Sequence, residues 1–172
     1  IDPAALSAET VSFQIAPRLN SPGRMSHAET SLRLLTTTSP EEAEALAEEL
    51  EELNQDRRDL TEQAYAVAYD QVQNQLQDQE YLPALLLVTN SSLTPGISGL
   101  VAGRLAETFN RPAVALAKTD DEHLVASGRS IPEFNLIKAL NACQDLFVRY
   151  GGHAQAAGFT IKREFLPQLE EQ

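Results

Sequence analysis

Three short stretches hold the residue types from which a binding site could be built. GGHAQAAG, residues 151–158, sets His153 between paired glycines and a row of alanines. Glycine lets a ligand come close to the main chain, so Gly151, Gly152 and His153 read as a contact point rather than a solvated turn. SGRS, residues 127–130, puts Arg129 at a strand end between Ser127 and Ser130, with Gly128 beside it. TPGISG, residues 94–99, brings Thr94 and Gly96 to a strand-to-helix turn, where backbone N–H groups favour phosphate. Arg149 comes just before the glycine pair, and a guanidinium fork matches phosphate geometry. If these stretches converge at one sheet edge, the chemistry is that of a phosphate or polyanion pocket.

Other chemistries find less support. His27, His123 and His153 are widely separated and none lies in an HExxH or DxD pattern, so no metal-binding residue is assigned. No GxSxG elbow is present and no catalytic residue is assigned. Cys143, the only cysteine, reads as a small buried hydrophobe in a helix. TPGISG lacks the GK[ST] ending of a nucleotide-binding loop.

The elements that must position these residues follow from periodicity. Residues 15–26, IAPRLNSPGRMS, carry Pro17, Pro22 and Gly23 and read as a turn-bearing loop. Arg18 and Arg24 flank that turn, either on a solvated connector or as two guanidiniums offered to an anion. Residues 27–37 read as a short helix. Ser39, Pro40 and Glu42 then spell a helix start, and apolar residues keep helical spacing for some 40 residues, ~60 Å at 1.5 Å each. Its glutamates read as a solvated face, and its seam falters at Arg57. It is expected to link or pack domains rather than form a dimeric coil. Strands are expected at 84–89, 111–118 and 123–131, helices at 94–109 and 134–146, then the histidine loop, strand GFTI and a last helix or tail. The layout is α/β, a sheet with flanking helices preceded by a long connecting helix.

The formal net charge of −12 argues against a general nucleic-acid binder. The charge is unevenly spread. Seven glutamates fall in residues 41–52, whereas residues 98–163 carry eight of the 13 basic residues. A local basic site is compatible with that distribution. No apolar run approaches the ~20 residues of a membrane span, and IDPAALSAET does not read as a signal peptide, so no membrane and a cytoplasmic setting are expected.

GGHAQAAGFTI resembles the GGH–AAG signature of the DHHA1 domain, which accompanies DHH-family phosphoesterases. PRLNSPGRM and the run from SGRS to GGHAQAAGF resemble the RecJ subgroup, and the likeness covers nearly the whole chain. It implies three segments: residues 1–38 ending a DHH domain, 39–80 a long connecting helix, and 81–172 a DHHA1 nucleic-acid-binding domain. It implies the substrate-holding part of a single-strand-specific 5′-to-3′ DNA exonuclease acting in repair and recombination. Manganese or magnesium would be held by a DHH domain packed in cis, and no cofactor by this chain, which alone would be inactive. Gly151, Gly152, His153, Ser127, Gly128, Arg129 and Arg24 would touch substrate. Arg18, Thr94, Gly96, Ser130 and Arg149 are secondary candidates. Thr94 and Gly96 stand where the family commonly has His-x-Gly; Thr94 can donate a hydrogen bond but carries no charge, so any substrate contact made by the usual His would be altered here. Two alternatives are a DHH relative cleaving short oligonucleotides or nucleotides, and a non-enzymatic helical module joining a partner or a second copy of itself.

Overall fold

The computed structural model describes residues 6–78 and 83–171. The chain divides into two compact units, residues 1–60 and 61–172. The long helix α4 (Pro40–Asp78) contributes residues 40–60 to the first and 61–78 to the second.

In the first unit, residues 8–25 are helical: α1 (Ala8–Thr10), a π-helical turn (Val11–Ile15) and α2 (Ala16–Met25). The loop expected over residues 15–26 is therefore a helix. Proline lacks an N–H and its ring strikes the carbonyl four residues back; the widened turn before Pro17 accommodates this. Pro22 is tolerated inside α2 because tertiary contacts offset the lost bond. Ser21 and Pro22 are buried, Ser21 Oγ donates to Pro17 O at 2.7 Å, and it also reaches Asn54 Oδ1 at 3.3 Å. The next helix, α3 (Glu29–Thr36), is tied back through Ser31 Oγ donating to Leu19 O at 2.7 Å.

Helix α4 begins as its sequence dictates, with Glu42 N–H donating to Ser39 Oγ at 3.2 Å. The reciprocal half of the capping box is absent. Thr37 Oγ1 accepts the Ser39 N–H instead, while the Glu42 carboxylate takes Thr37 Oγ1 and Arg33 Nη2, each at 2.6 Å. Glu49 accepts from Thr30, and Glu51 holds both Nε and Nη2 of Arg18. The glutamates are thus not only a solvated face: three of them fasten α2 and α3. Leu46, Leu50 and Asn54 form the buried side of this half.

The second unit is a five-stranded sheet of order β1-β2-β3-β5-β4, with β1 (Leu86–Thr89), β2 (Ala113–Lys118), β3 (His123–Arg129), β4 (Phe147–Gly152) and β5 (Ala156–Lys162). Only β1 and β2 pair in parallel, through the crossover helix α5 (Pro95–Phe109). Asn110, left-handed at φ 49°, ends α5 and returns the chain to β2. Alanines at 113, 115 and 117 are fully buried beneath α5, and their small size lets it approach. The opposite face buries Val114, Leu116, Leu124, Ala126, Phe159 and Ile161 with Leu136 and Leu140. Leu136 and Leu140 come from α6 (Leu136–Ala142), and Leu166 and Leu169 of α7 (Leu166–Glu170) pack alongside. Residues 61–78 of α4 bury Ala64, Ala68 and Val72, four residues apart, and Tyr65 Oη meets Thr108 Oγ1 of α5 at 2.9 Å.

Two expectations here need correction. Residues 149–152 are strand β4, not loop, because pairing with β5 overrides the low strand propensity of Gly151 and Gly152. The helix expected over 134–146 is only α6 plus a 3₁₀ turn at Gln144–Leu146. Asn135 caps it by accepting the Lys138 N–H, and the break at Cys143 lets the chain enter β4. Cys143 is half-buried, and burial pushes its thiol pKa up, away from reactivity.

Asn54→Ala removes the acceptor shared by Ser21 Oγ and Arg57 Nη2 at a site 3% exposed. Urea denaturation is expected to show a loss of about 1–3 kcal/mol; an unchanged midpoint would mean α2 is held otherwise. The Glu42 carboxyl is held below the ordinary range by Thr37 and Arg33, and that of Glu51 by Arg18. Carboxylates depressed on folding stabilise above their ordinary pKa and lose that contribution as pH falls through the folded value. Melting temperature is therefore expected to fall between roughly pH 5 and pH 3, with a shallower slope in the Glu42→Gln/Glu51→Gln variant.

Candidate nucleic-acid interface

Strand register decides which side chains share a surface. In an antiparallel sheet directly paired residues project to the same face. Ser127 pairs with Gly158, and Gly158 with Gly151. Arg129 pairs with Ala156, while Val125, Thr160 and Arg149 form the row on the other side of the Ser127 row. These residues lie on the α5 face of the sheet. Helix α5 packs on β2 and β3, and the β5–β4 portion stays half-buried to exposed. The outcome is a shallow surface with a glycine floor, bordered by Ser127 and Arg129 on one side and Arg149 on the other.

The GGH turn is fixed to this surface by main-chain bonds. His153 N–H donates to Ala156 O at 2.8 Å, closing the β4–β5 hairpin. Ser130 N–H donates to Gln155 O at 2.9 Å, and Leu136 N–H to Ala154 O at 3.0 Å. The end of SGRS and the hairpin tip are therefore neighbours, and the His153 side chain is exposed beside them. Ser130 Oγ donates to Phe134 O at 2.8 Å and holds the path into α6.

Each glycine has a distinct reason. A β-carbon at Gly128 would stand 2.5 Å from Leu136 Cδ2, so that residue serves the core on the opposite face. Gly152 has φ +143°, and a β-carbon there would meet Ala157 Cα at 2.4 Å and Ala156 O at 2.5 Å. At Gly158 it would lie 2.9 Å from Ala126 O. At Gly151 it would meet nothing within 4 Å. Internal packing accounts for the other three but not for Gly151, whose bareness leaves space at the sheet surface.

Two of the chain's cations, Arg129 and Arg149, lie on this sheet face. Arg18, Arg33 and Arg104 are each paired with a glutamate. No carboxylate among the described residues pairs with Arg129 or Arg149. Arg129 Nη1 donates to its neighbour Gly128 O at 2.9 Å, and Arg149 Nε to Thr160 Oγ1 at 3.1 Å. The Arg129 side chain runs along α5, where β-carbons at Gly103 and Gly99 would stand 3.8 Å from its Cγ and 2.9 Å from its Nη2. The TPGISG stretch thus takes part through Gly99. Gly96 lies in the first turn of α5, and Thr94 precedes it at the cap position without a side-chain capping bond. Sequence reading missed Gly99, Gly103 and Thr160; the four-residue glycine spacing inside a helical stretch was the available signal.

Arg18 and Arg24 belong to the first unit. Arg18 is engaged by Glu51 and donates to Gln14 O at 2.7 Å. Arg24 is exposed on α2, and its charge, with that of Arg58, adds to burial in lowering the pKa of Arg57. Among the described residues no three His, Cys, Asp or Glu side chains gather to hold a metal ion. Asp120 and His123 pair at 3.1 Å in the β2–β3 turn, where the main-chain N–H groups of Glu122 and His123 hold the Asp120 carboxyl below its usual range.

Gly152→Ala is expected to cost about 1–3 kcal/mol or more in urea denaturation, from φ strain and backbone collision. Gly151→Ala should stay within about 0.5 kcal/mol of the parent. Equal losses at both positions would refute the division between an internally required glycine and a surface one.

Residues 78–172 match the family model of the DHHA1 domain. The single-stranded-DNA-specific exonuclease RecJ of Bacillus subtilis (strain 168) is 40% identical over 163 residues, covering 94% of this chain and 20% of the relative. That of Salmonella typhimurium (strain LT2) is 33% identical over 174 residues, covering 99% and 30%. RecJ from Thermus thermophilus, solved in complex with Mn2+, superposes with a TM-score of 0.79 at 33% identity, covering 94% of this chain and 23% of that one. A manganese-bound exonuclease RecJ gives 0.75 at 33%, covering 96% and 40%. The chain spans less than half the length of each of these relatives. No described helix is long and apolar enough to cross a membrane. By the domain match, the identities and the shared fold, the chain belongs to the DHHA1-domain family, in the form found in RecJ exonucleases.

Proposed function

We propose that this chain is the substrate-holding part of a metal-dependent, single-strand-specific 5′-to-3′ DNA exonuclease of repair and recombination in the cytoplasm. The observation that carries the reading is Arg129. In a chain of net charge −12, its guanidinium has no acidic partner among the described residues and lies beside a half-open, glycine-floored sheet face. A cation so placed serves a ligand anion, and the phosphates of a nucleic-acid strand supply one at every nucleotide.

Each group has a defined part. Arg129 donates to a phosphate, with Ser127 as a hydroxyl partner one pleat away on the same strand face. Gly151 and Gly158 let the sugar–phosphate backbone lie near the sheet. His153, on the hairpin tip, donates to the same or the neighbouring phosphate. Arg149 extends the positive rim, and Arg24 provides a separate phosphate contact on the first unit. Phosphodiester hydrolysis belongs to a DHH domain in cis, where manganese or magnesium would activate water; this chain's residues bind and orient. A charge-assisted bond of this kind contributes ~1.5–3 kcal/mol.

The test is titration of a fluorescent 5′-phosphorylated oligodeoxynucleotide with the 172-residue chain at low and high salt. Binding is expected to weaken as salt rises. Arg129→Ala and His153→Ala should each weaken it by about tenfold to a hundredfold. Salt-insensitive binding, or wild-type affinity in both variants, would overturn the reading.

A further inference from the structure

We infer that Gly99 and Gly103 are positioning residues: together they form a trough on α5 that aims the Arg129 guanidinium, and the bare α-carbon of Gly99 fixes where the fork can reach. The inference rests on the reading of Arg129 as a phosphate contact and extends it to residues with no ligand-binding group of their own.

Two glycines in the body of a 15-residue helix need a reason, because glycine is the poorest helix former after proline. Spaced four apart, they share one face of α5. What a side chain would meet at each shows the reason. At Gly99 the three nearest atoms to a β-carbon would be Nη2, Cζ and Nη1 of Arg129, at 2.9, 3.4 and 3.5 Å. At Gly103 the one neighbour within 4 Å among the described residues, apart from the backbone of α5 itself, would be Arg129 Cγ, at 3.8 Å. Neither glycine is required by main chain or core, in contrast with Gly128, Gly152 and Gly158. Both are half-exposed, and neither has a left-handed φ. Their common neighbour is one arginine, whose stem lies over Gly103 and whose head lies over Gly99. With Nη1 donating to Gly128 O, contact on the Gly99 side restricts the remaining freedom of the fork. Ordering the cation before the ligand arrives lowers the entropy cost of binding.

Stability and affinity should therefore move apart. In Gly99→Ala the methyl displaces only the end of a flexible side chain, and alanine is the better helix former, so the melting temperature holds or rises. Affinity for the 5′-phosphorylated oligodeoxynucleotide is expected to fall by roughly tenfold, as when a charged hydrogen bond is misaligned. In an Arg129→Ala background the same change should leave affinity where it was, a coupling that an independent structural effect would not produce. Without any DNA, the Nε–Hε resonance of Arg129 should shift in Gly99→Ala while the β3 amides stay in place. Loss of affinity on Arg129→Ala with none on Gly99→Ala would overturn this inference alone. So would equal losses from Gly99→Ala in both backgrounds, or an unmoved Arg129 resonance. If the wild-type chain fails to bind, or Arg129→Ala binds as well as wild type, the phosphate reading falls and the proposed aiming falls with it.

Discussion

The antiparallel pairing of β3 with β5 is the constraint on which the site depends. It runs from His123↔Lys162 to Arg129↔Ala156 without a shift, so one register fixes every row of the surface. A slip of one residue would send Ser127 and Arg129 into the core and Gly128 onto the open face. The core prevents this, because Leu124, Ala126, Phe159 and Ile161 alternate with those positions and are buried together. The strands are held by apolar burial on one side and thereby present polar groups on the other. The site is the reverse face of the hydrophobic core.

The glycines accordingly fall into three kinds. Gly128, Gly152 and Gly158 are required by internal packing, the first making room for Leu136 of α6 and the other two letting strand backbones approach. Gly99 and Gly103 make a helix fit a side chain. A β-carbon at Gly151 would meet none of the described residues within 4 Å. Such distinctions require coordinates, since the residue type is the same in each case and only the would-be neighbour of a β-carbon differs.

Much of the architecture was legible because it follows from local chemistry. The Ser39 cap, the proline at the first turn of α5 and the alternation along β3 each state their element directly. What escaped depended on partners distant in sequence. Pro17 and Pro22 argued for a loop, but the burial of Ser21 and Pro22 and the bond from Ser21 to Asn54 outweigh their helix penalty. Gly151 and Gly152 argued against a strand, but β5 supplies the pairing. The glutamates of α4 gave no sign that Arg18, Arg33 and Thr30 would take up three of them. The candidate site was legible by residue type at SGRS and GGH; the trough beneath Arg129 was not, since its residues carry no functional group.

Strand β4 lies at the sheet's edge, with its outer main-chain groups unpaired by any other described strand. A free edge invites a second chain to add a strand. This edge is poorly suited to do so. Its register shifts between Phe147 and Arg149, a charged side chain follows exposed Val148, and two glycines close the strand, the second at φ +143°. The bareness that leaves the sheet face open also spoils its edge as a template for β-sheet growth. Filling Gly151 with a β-branched residue would trade that protection for strand propensity and leave the domain more prone to edge-on aggregation.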